Sequence, residues 1–395
     1  MLDAKFCKKE VLLESFEEIK MNVRVLIIGM YETVGGIETF LLNYLKHMDT
    51  SKIDLYYLCM YDSFYFSKEI EKYGGKIINI VHVKKNPIEY FMELKKIIRR
   101  EQIDVVHINM LSAANIVPLL ACKITGIRHI IVHSHNSNLP NSKVKRALHT
   151  INRRLIPFLA TDFWGCSLEA GEWLYGKKLP NGKKIKVIKN AIENQNYIFN
   201  DQIKKEYKKK LGLDEKVVFG HVGAFREQKN QIRLIEIFSE ISREMKHSVL
   251  VLVGEAVRPD EKEYLNLVKE KINELQLNEK VLFLGNRNDV NKLMSMFDAM
   301  IFPSKFEGLP LVLVESQAAA LPTVISKDVI PSHVKMTSYI LFESLESSNE
   351  EWAKKAASLL EIKRKSTDKE LLKCGYNINF EANRLQELYE KIGAK

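Results

Sequence analysis

No apolar run in the chain approaches the roughly 18 residues that a membrane-spanning helix needs. Residues 1–20 carry charges throughout and lack the apolar centre of a secretory leader. Cysteine is scarce: Cys7, Cys59, Cys122, Cys166 and Cys374 are scattered, odd in number and form no CxxC pair. That spacing argues against a disulfide framework or a zinc site and reads as reduced thiols in a cytoplasm. P-loop, HExxH and serine-elbow motifs are missing, so three common hydrolytic chemistries have no support. Helix-turn-helix, RNA-recognition and zinc-finger patterns are missing too, and no nucleic-acid partner is expected.

What remains is a chain of 395 residues, 46% hydrophobic, too long for one ordinary core and suited to two domains. The formal net charge is +10. Most of it reads as a solvated surface, but basic clusters stand at Lys95–Arg100, Lys143–Arg154 and Lys204–Lys210. An anionic partner is one reading of such charge, and peripheral contact of the N-terminal half with a membrane is the form kept open here.

Short aliphatic runs alternate with helix-like segments, the mark of parallel sheets wrapped by helices. Residues 1–20 read as an extension, with Met21 standing just before the first apolar run as a candidate start. Strands are predicted at 23–28, 55–59, 76–80, 105–108, 130–132, 163–165 and 186–188, with helices at 37–48, 88–101 and 113–124. Polar residues from Asn194 to Lys210 suggest a linker. The alternation resumes with strands at 217–222, 248–253, 281–284, 299–302, 322–325 and 338–341, and helices at 230–243, 261–275 and 289–296. A last helix is expected over 380–392. The expected domains are therefore 21–195, 196–375 and a C-terminal segment, 376–395.

The most informative stretch is Glu307-Gly308-Leu309-Pro310-Leu311-Val312-Leu313-Val314-Glu315. Pro310 fits a first helical turn, and the apolar run behind it makes Glu315 a lone carboxylate on a buried helix, costly unless paired. Helical side chains lean toward the N-terminus, so Glu315 should reach back toward the turn holding Glu307 and Gly308. That turn offers free N–H groups and the positive end of a helix dipole. Two carboxylates beside an anion cradle suit a ligand with hydroxyls and phosphates. A neighbouring lysine or the backbone satisfying Glu315 is the purely structural alternative.

With Pro303-Ser304 before it, this stretch resembles the E-x7-E signature of the family-4 retaining glycosyltransferases. The resemblance extends over nearly all of 21–395 and implies the GT-B fold, α/β, two Rossmann-like domains facing across a cleft. It implies that Glu307 faces the donor sugar and Glu315 the nucleotide ribose, with the Gly308 and Leu309 turn beside them. Gly35-Gly36, after the first strand, is similar to the family's N-terminal glycine loop beside the diphosphate. Along Arg128–Asn136, His135 best matches the family's histidine near the reacting sugar, with His133 one register away. His133 and His135 would share a strand face, but no third metal ligand stands nearby. In Gly220–Asn230, Gly223 and Lys229 match the family's diphosphate-gripping loop. The usual arginine, however, is Ala224, and Arg226 is the candidate substitute. Arg287, in Gly285–Val290, falls in the loop that would cup the base, and the glycine usual before Leu321-Pro322 is Ala320, a change expected to affect packing only.

The expected catalytic residues are thus His135, Glu307 and Lys229. Donor binding falls to Gly35, Gly36, Gly223, Arg226, Lys229, Arg287, Glu307, Gly308, Leu309 and Glu315. No metal or other cofactor is expected, and no D-x-D triplet occurs. The partners implied are a UDP-sugar donor and a glycan or polyprenyl-diphosphate-linked acceptor, in capsular or extracellular polysaccharide assembly. The rival reading is a catalytically weak or inactive homologue serving as a subunit of such an assembly complex.

Overall fold

Strands buried on both faces set the architecture. Every residue of Val105–Met110 and of Ser248–Val253 is buried, which requires helices over both sides of a sheet and therefore parallel crossovers. The structure, a computed structural model, describes residues 22–32, 35–136, 142–307, 310–327, 329–330 and 332–394. The expected extension and the Gly308 and Leu309 positions lie outside the described residues.

The first sheet comprises β1 (Val23–Ile28), β2 (Ile53–Cys59), β3 (Lys76–Asn79), β4 (Val105–Met110), β5 (His129–Ser134), β6 (Asp162–Gly165) and β7 (Lys186–Val187). Its order is β3-β2-β1-β4-β5-β6-β7. The second comprises β8 (Val217–Val222), β9 (Ser248–Val253), β10 (Val281–Gly285), β11 (Ala299–Phe302), β12 (Thr323–Ser326) and β13 (Ile340–Glu343). Its order is β10-β9-β8-β11-β12-β13. Every named pairing is parallel. Each sheet is a Rossmann-like half, so the fold is the GT-B type. Strand order reverses between β1 and β4 and between β8 and β11, the switch points where open α/β sheets take ligands.

Several stretches depart from the sequence reading. The expected linker is structured: Asn194–Tyr197 is a short 3-10 turn and Asp201–Lys210 an α-helix. Asn200 caps that helix by accepting from the Ile203 amide at 3.1 Å, and Lys208–Lys210 complement the dipole at its far end. Its polar residues are spent on specific partners. Lys204 and Lys208 grip Asp298 at 2.6 and 2.8 Å, and Tyr207 donates to Asp289 at 2.8 Å. The helix expected from residue 113 begins at Val117, with Pro118 in its first turn, where a missing N–H costs nothing. The segment Lys143–Asn152, read only as part of a basic cluster, is a helix capped by Ser142.

The last helix, Ile378–Gly393, packs on the first sheet: Ile378, Ala382, Leu385, Tyr389 and Ile392 share a core with Val25, Ile27 and Phe40. Among the described residues no helix is long and apolar enough to cross a membrane.

Candidate functional site

A cleft of about 660 Å³ collects residues from both halves. From the first half come the start of the helix Gly36–His47 and the exit of β5; from the second, the loops leaving β8 and β11. Among the expected residues it brings together Gly35, Gly36, His135, Arg226, Lys229 and Glu307. Gly223, Arg287 and Glu315 do not line it.

Lys229 and Glu307 form its charged centre. The Lys229 ammonium donates to Glu307 Oε1 at 2.7 Å, with the two side chains 16% and 6% exposed. The ammonium also lies 4.8 Å from the centre of the Phe302 ring, a cation–π contact that helps hold it. Asn230, at φ 58°, carries the chain from the Lys229 turn into the helix Gln231–Glu244, a left-handed conformation that asparagine tolerates. Its amide donates to the Pro303 carbonyl at 3.0 Å, tying the β8 loop to the β11 loop. These two loops therefore hold the ion pair as one unit.

Arg226 lines the same wall, but its Nε donates to Glu261 Oε1 at 2.6 Å, and Arg258 shares that carboxylate at 3.1 Å. Glu261 lies below the ordinary glutamate range. Burial pushes its pKa up, and hydrogen bonds from the Arg258 amide and Arg226 outweigh that. Arg287 pairs with Asp289 through two bonds, 2.8 and 2.6 Å. Glu315 sits on the helix Leu311–Ala318, half-buried rather than enclosed, and its Oε1 accepts from the Tyr197 hydroxyl at 2.9 Å. The partner is thus a tyrosine from the segment read as linker, neither a lysine nor backbone. Burial raises the Glu315 pKa, and the Tyr197 bond offsets part of that.

Opposite, Glu38 organises the glycine loop. Its carboxylate accepts from the Tyr31 amide at 2.7 Å and is held also by the Gly35 and Glu38 amides. A Cβ at Gly35 would lie 2.8 Å from Glu38 Oε2, so this glycine makes room for the carboxylate. A Cβ at Gly36 would meet nothing within 4 Å: that position opens onto the cleft rather than onto the protein. Glu38 is 3% exposed, and burial raises its pKa against its backbone bonds. Sequence reasoning missed it, although an acidic residue in a first helical turn after two glycines was the available signal. Ser167, Asn190 and Gln228 were missed as well; no local pattern marks them. Cys166 also lines the wall, with its thiol pushed up to about 11 by burial, so it is a poor nucleophile.

His135 enters the cleft from the end of a buried chain. Tyr389 of the last helix meets His107 Nδ1 at 2.6 Å, and His107 Nε2 meets His133 Nδ1 at 3.1 Å. The His133 and His135 ring centres are 4.0 Å apart, and His135 Nε2 bonds Asn109 Oδ1 at 2.8 Å. Burial pushes His107 and His135 down to about 3 and His133 well below the ordinary range. All three are neutral rings at pH 7. Among the described residues, no group of three His, Cys, Asp or Glu is placed to hold a metal ion. Ala320 adopts φ +48° while almost fully buried. The glycine expected there therefore matters for backbone conformation, and the substitution is not the packing change the sequence suggested.

Two opposed Rossmann-like halves with an ion pair and a glycine loop facing across the cleft define a GT-B sugar-transfer architecture. The chain carries two glycosyltransferase domains: the family model "Glycosyltransferase Family 4" matches residues 34–195, and "Glycosyl transferases group 1" matches 203–377. Over 370 residues it is 28% identical to the protein named "Putative glycosyltransferase EpsF" of Bacillus subtilis (strain 168), covering 90% of this chain and 93% of that one. It is 28% identical over 244 residues, 60% of each chain, to the UDP-Gal:alpha-D-GlcNAc-diphosphoundecaprenol alpha-1,3-galactosyltransferase of Escherichia coli. Anabaena HepE in complex with UDP-glucose matches with a TM-score of 0.73 at 17% identity, covering 94% of this chain and 99% of that one, a likeness of fold.

Proposed function

We propose that the protein is a retaining, metal-independent glycosyltransferase that moves a sugar from a UDP-sugar to a lipid-linked glycan acceptor. The observation that carries this reading is the Lys229–Glu307 pair at 2.7 Å, facing His135 and the Gly35-Gly36 loop across one cleft. The UDP-Gal donor and diphosphoundecaprenol acceptor named for the E. coli relative, and the UDP-glucose named for HepE, support the choice of substrates.

In this reading the bond from the anomeric carbon to the diphosphate oxygen breaks first, through an oxocarbenium-like state. The acceptor hydroxyl bonds that carbon on the face the diphosphate leaves, and its proton passes to the departing phosphate oxygen. The products are UDP and the extended glycan. Lys229 moves from Glu307 onto the developing diphosphate charge, and the Gly36 amide, at a helix N-terminus, adds a second donor. Glu307, released, accepts from sugar hydroxyls. His135, neutral, lines the reacting face, and Glu315 with Tyr197 holds the ribose. The contribution of these side chains is positioning and electrostatics.

Calorimetric titration with UDP and GDP, beside Glu315→Gln, tests the donor site. UDP binding that the variant weakens supports it, and an absence of binding to the parent would sink it. Transfer assayed with and without EDTA, with the product's anomeric configuration read by NMR, tests the metal-independent and retaining parts. The second reading, an inactive subunit, draws on Ala224 and on Arg226 being held by Glu261. It predicts no transfer from any UDP-sugar by a chain that is fully folded.

A further inference from the structure

The helix Lys143–Asn152 buries a single residue, His149. That side chain acts as a peg: its Nδ1 accepts from the Ala113 amide at 3.1 Å, and its ring stacks on Trp173 at 4.3 Å. Asn152 and Arg153 add bonds to the Ala113 and Glu172 carbonyls, 2.9 and 3.1 Å. The rest of the helix stands away from the core. Outward apolar residues recur at helical spacing along the helix and just past it: Val144 is 68% exposed, Leu148 42% and Ile151 62% on the helix, then Leu155 45% and Phe158 73% beyond it. A short helix with an uncovered apolar stripe is marginal unless something packs on that stripe.

Charge indicates what that is. Residues 143–160 contain Lys143, Lys145, Arg146, Arg153 and Arg154 and no aspartate or glutamate. Apolar side chains flanked only by cations match an anionic, apolar-cored surface. The position agrees. Lys145 also lines a cavity of about 260 Å³ with His82, Lys84 and Asn109, and this cavity shares Tyr31 and Leu111 with the main cleft. The helix thus stands at the outer end of a route into the site.

We propose that the face formed by Lys143–Asn152 and the turn to Phe158 docks on an anionic phospholipid bilayer. The apolar stripe lies among the acyl boundary groups, with the exposed Lys143, Lys145 and Arg154 among the phosphates. The inference deepens the lipid-linked acceptor reading above and rests on it for its purpose. Vesicle binding is measured without donor, so each can fail alone.

The test is co-sedimentation of the full chain with phosphatidylcholine vesicles and with mixed phosphatidylcholine–phosphatidylglycerol vesicles, alongside Ile151→Glu and Phe158→Glu. Both positions are solvent-exposed, and circular dichroism and UDP titration check that the variants fold and keep the cleft. The expected result is binding to the mixed vesicles, weakened roughly tenfold or more by either variant with UDP affinity unchanged. Failure of the parent to bind mixed vesicles overturns the proposal. So does variant binding equal to the parent's, which would reduce the effect to diffuse charge. Self-association in analytical ultracentrifugation that Ile151→Glu abolishes, with vesicle binding intact, would assign the face to a second copy of the chain.

Discussion

Mild acid should loosen the first half of the molecule through its buried histidines. In the unfolded chain each imidazole titrates near 6.5, whereas His107 and His135 are pushed down to about 3 when folded. Between these values the unfolded state binds the extra proton, so stability rises with pH through the window and is lost as pH falls from about 6.5. Going from about pH 7 to about pH 5 costs on the order of 2 kcal/mol for each such histidine. His107 and His135 together then cost roughly 4 kcal/mol, and His133 adds in the same direction. That is a large part of the about 5–15 kcal/mol of a typical domain. Glu38 and Glu381, raised chiefly by burial, work in the opposite sense just above the ordinary carboxylate range and offset part of the loss. A variant isolates the histidine contribution. His107→Gln keeps a donor and an acceptor for Tyr389 and His133 but cannot titrate. It should be less stable than the parent at pH 7, with the gap closing by about 2 kcal/mol at pH 5.

Urea unfolding read by tryptophan emission is a suitable assay. Trp164 lies 5.1 Å from His107 and Trp173 is in the same half, so a Trp352→Phe background reports the first half alone. The separation matters because His221, buried in the second half and pushed down to about 4, makes that half acid-sensitive as well. A parent whose first-half stability changes by under about 1 kcal/mol between pH 7 and 5 would refute the reasoning. So would a gap to His107→Gln that stays constant with pH.

Three further outcomes are expected. Glu307→Gln should abolish transfer yet tighten UDP binding, by about tenfold if freeing Lys229 is worth about 1.4 kcal/mol; weaker UDP binding in calorimetry would contradict the ion-pair argument. Tyr197→Phe removes the hydroxyl that donates to Glu315 at 2.9 Å and should cost about 1–2 kcal/mol in urea unfolding; an unchanged midpoint would show that Glu315 finds another donor. Gly254→Ala drives a Cβ into the Gly223 carbonyl oxygen at φ +140°, so the loop beside Lys229 must shift. A loss of about 2 kcal/mol or more is expected, with weaker UDP binding, and wild-type values for both would count against the close approach.

How much of this was legible in the sequence depended on whether the cause was local. The strands at 23–28, 217–222, 248–253 and 299–302 coincide with the predicted ones, because each is a short, predominantly aliphatic run of the kind a parallel sheet buries on both sides. The segment 194–210 was misread because polarity was taken as exposure. Its signals were a cap at Asn200 and the spacing of Ile203, Tyr207 and Leu211, while its lysines were committed to Asp298 across the sequence. His107 was read as one residue of an aliphatic strand. Its partner Tyr389 is 282 residues away, and no periodicity announces such a meeting. Glu38 and Lys229 lie beside glycine turns that mark them, whereas Asn190 and Ser167 reach the cleft only through tertiary packing.

The charges of the cleft suggest why a missing arginine at position 224 is compatible with a working site. The two basic side chains of the described wall, Lys229 and Arg226, are each already engaged by a carboxylate, Glu307 and Glu261. A free diphosphate would have to displace those carboxylates and leave them facing its own charge, which is costly in a partly buried site. A nucleotide sugar differs, because its hydroxyls supply donors to Glu307 at the moment Lys229 turns to the phosphates. The exchange conserves the number of satisfied charges. An additional fixed cation at position 224 would raise affinity for any diphosphate, product UDP included. In the proposed mechanism, binding without it would depend more on the sugar being attached, and Glu307 reclaiming Lys229 would assist release of the nucleotide diphosphate after transfer.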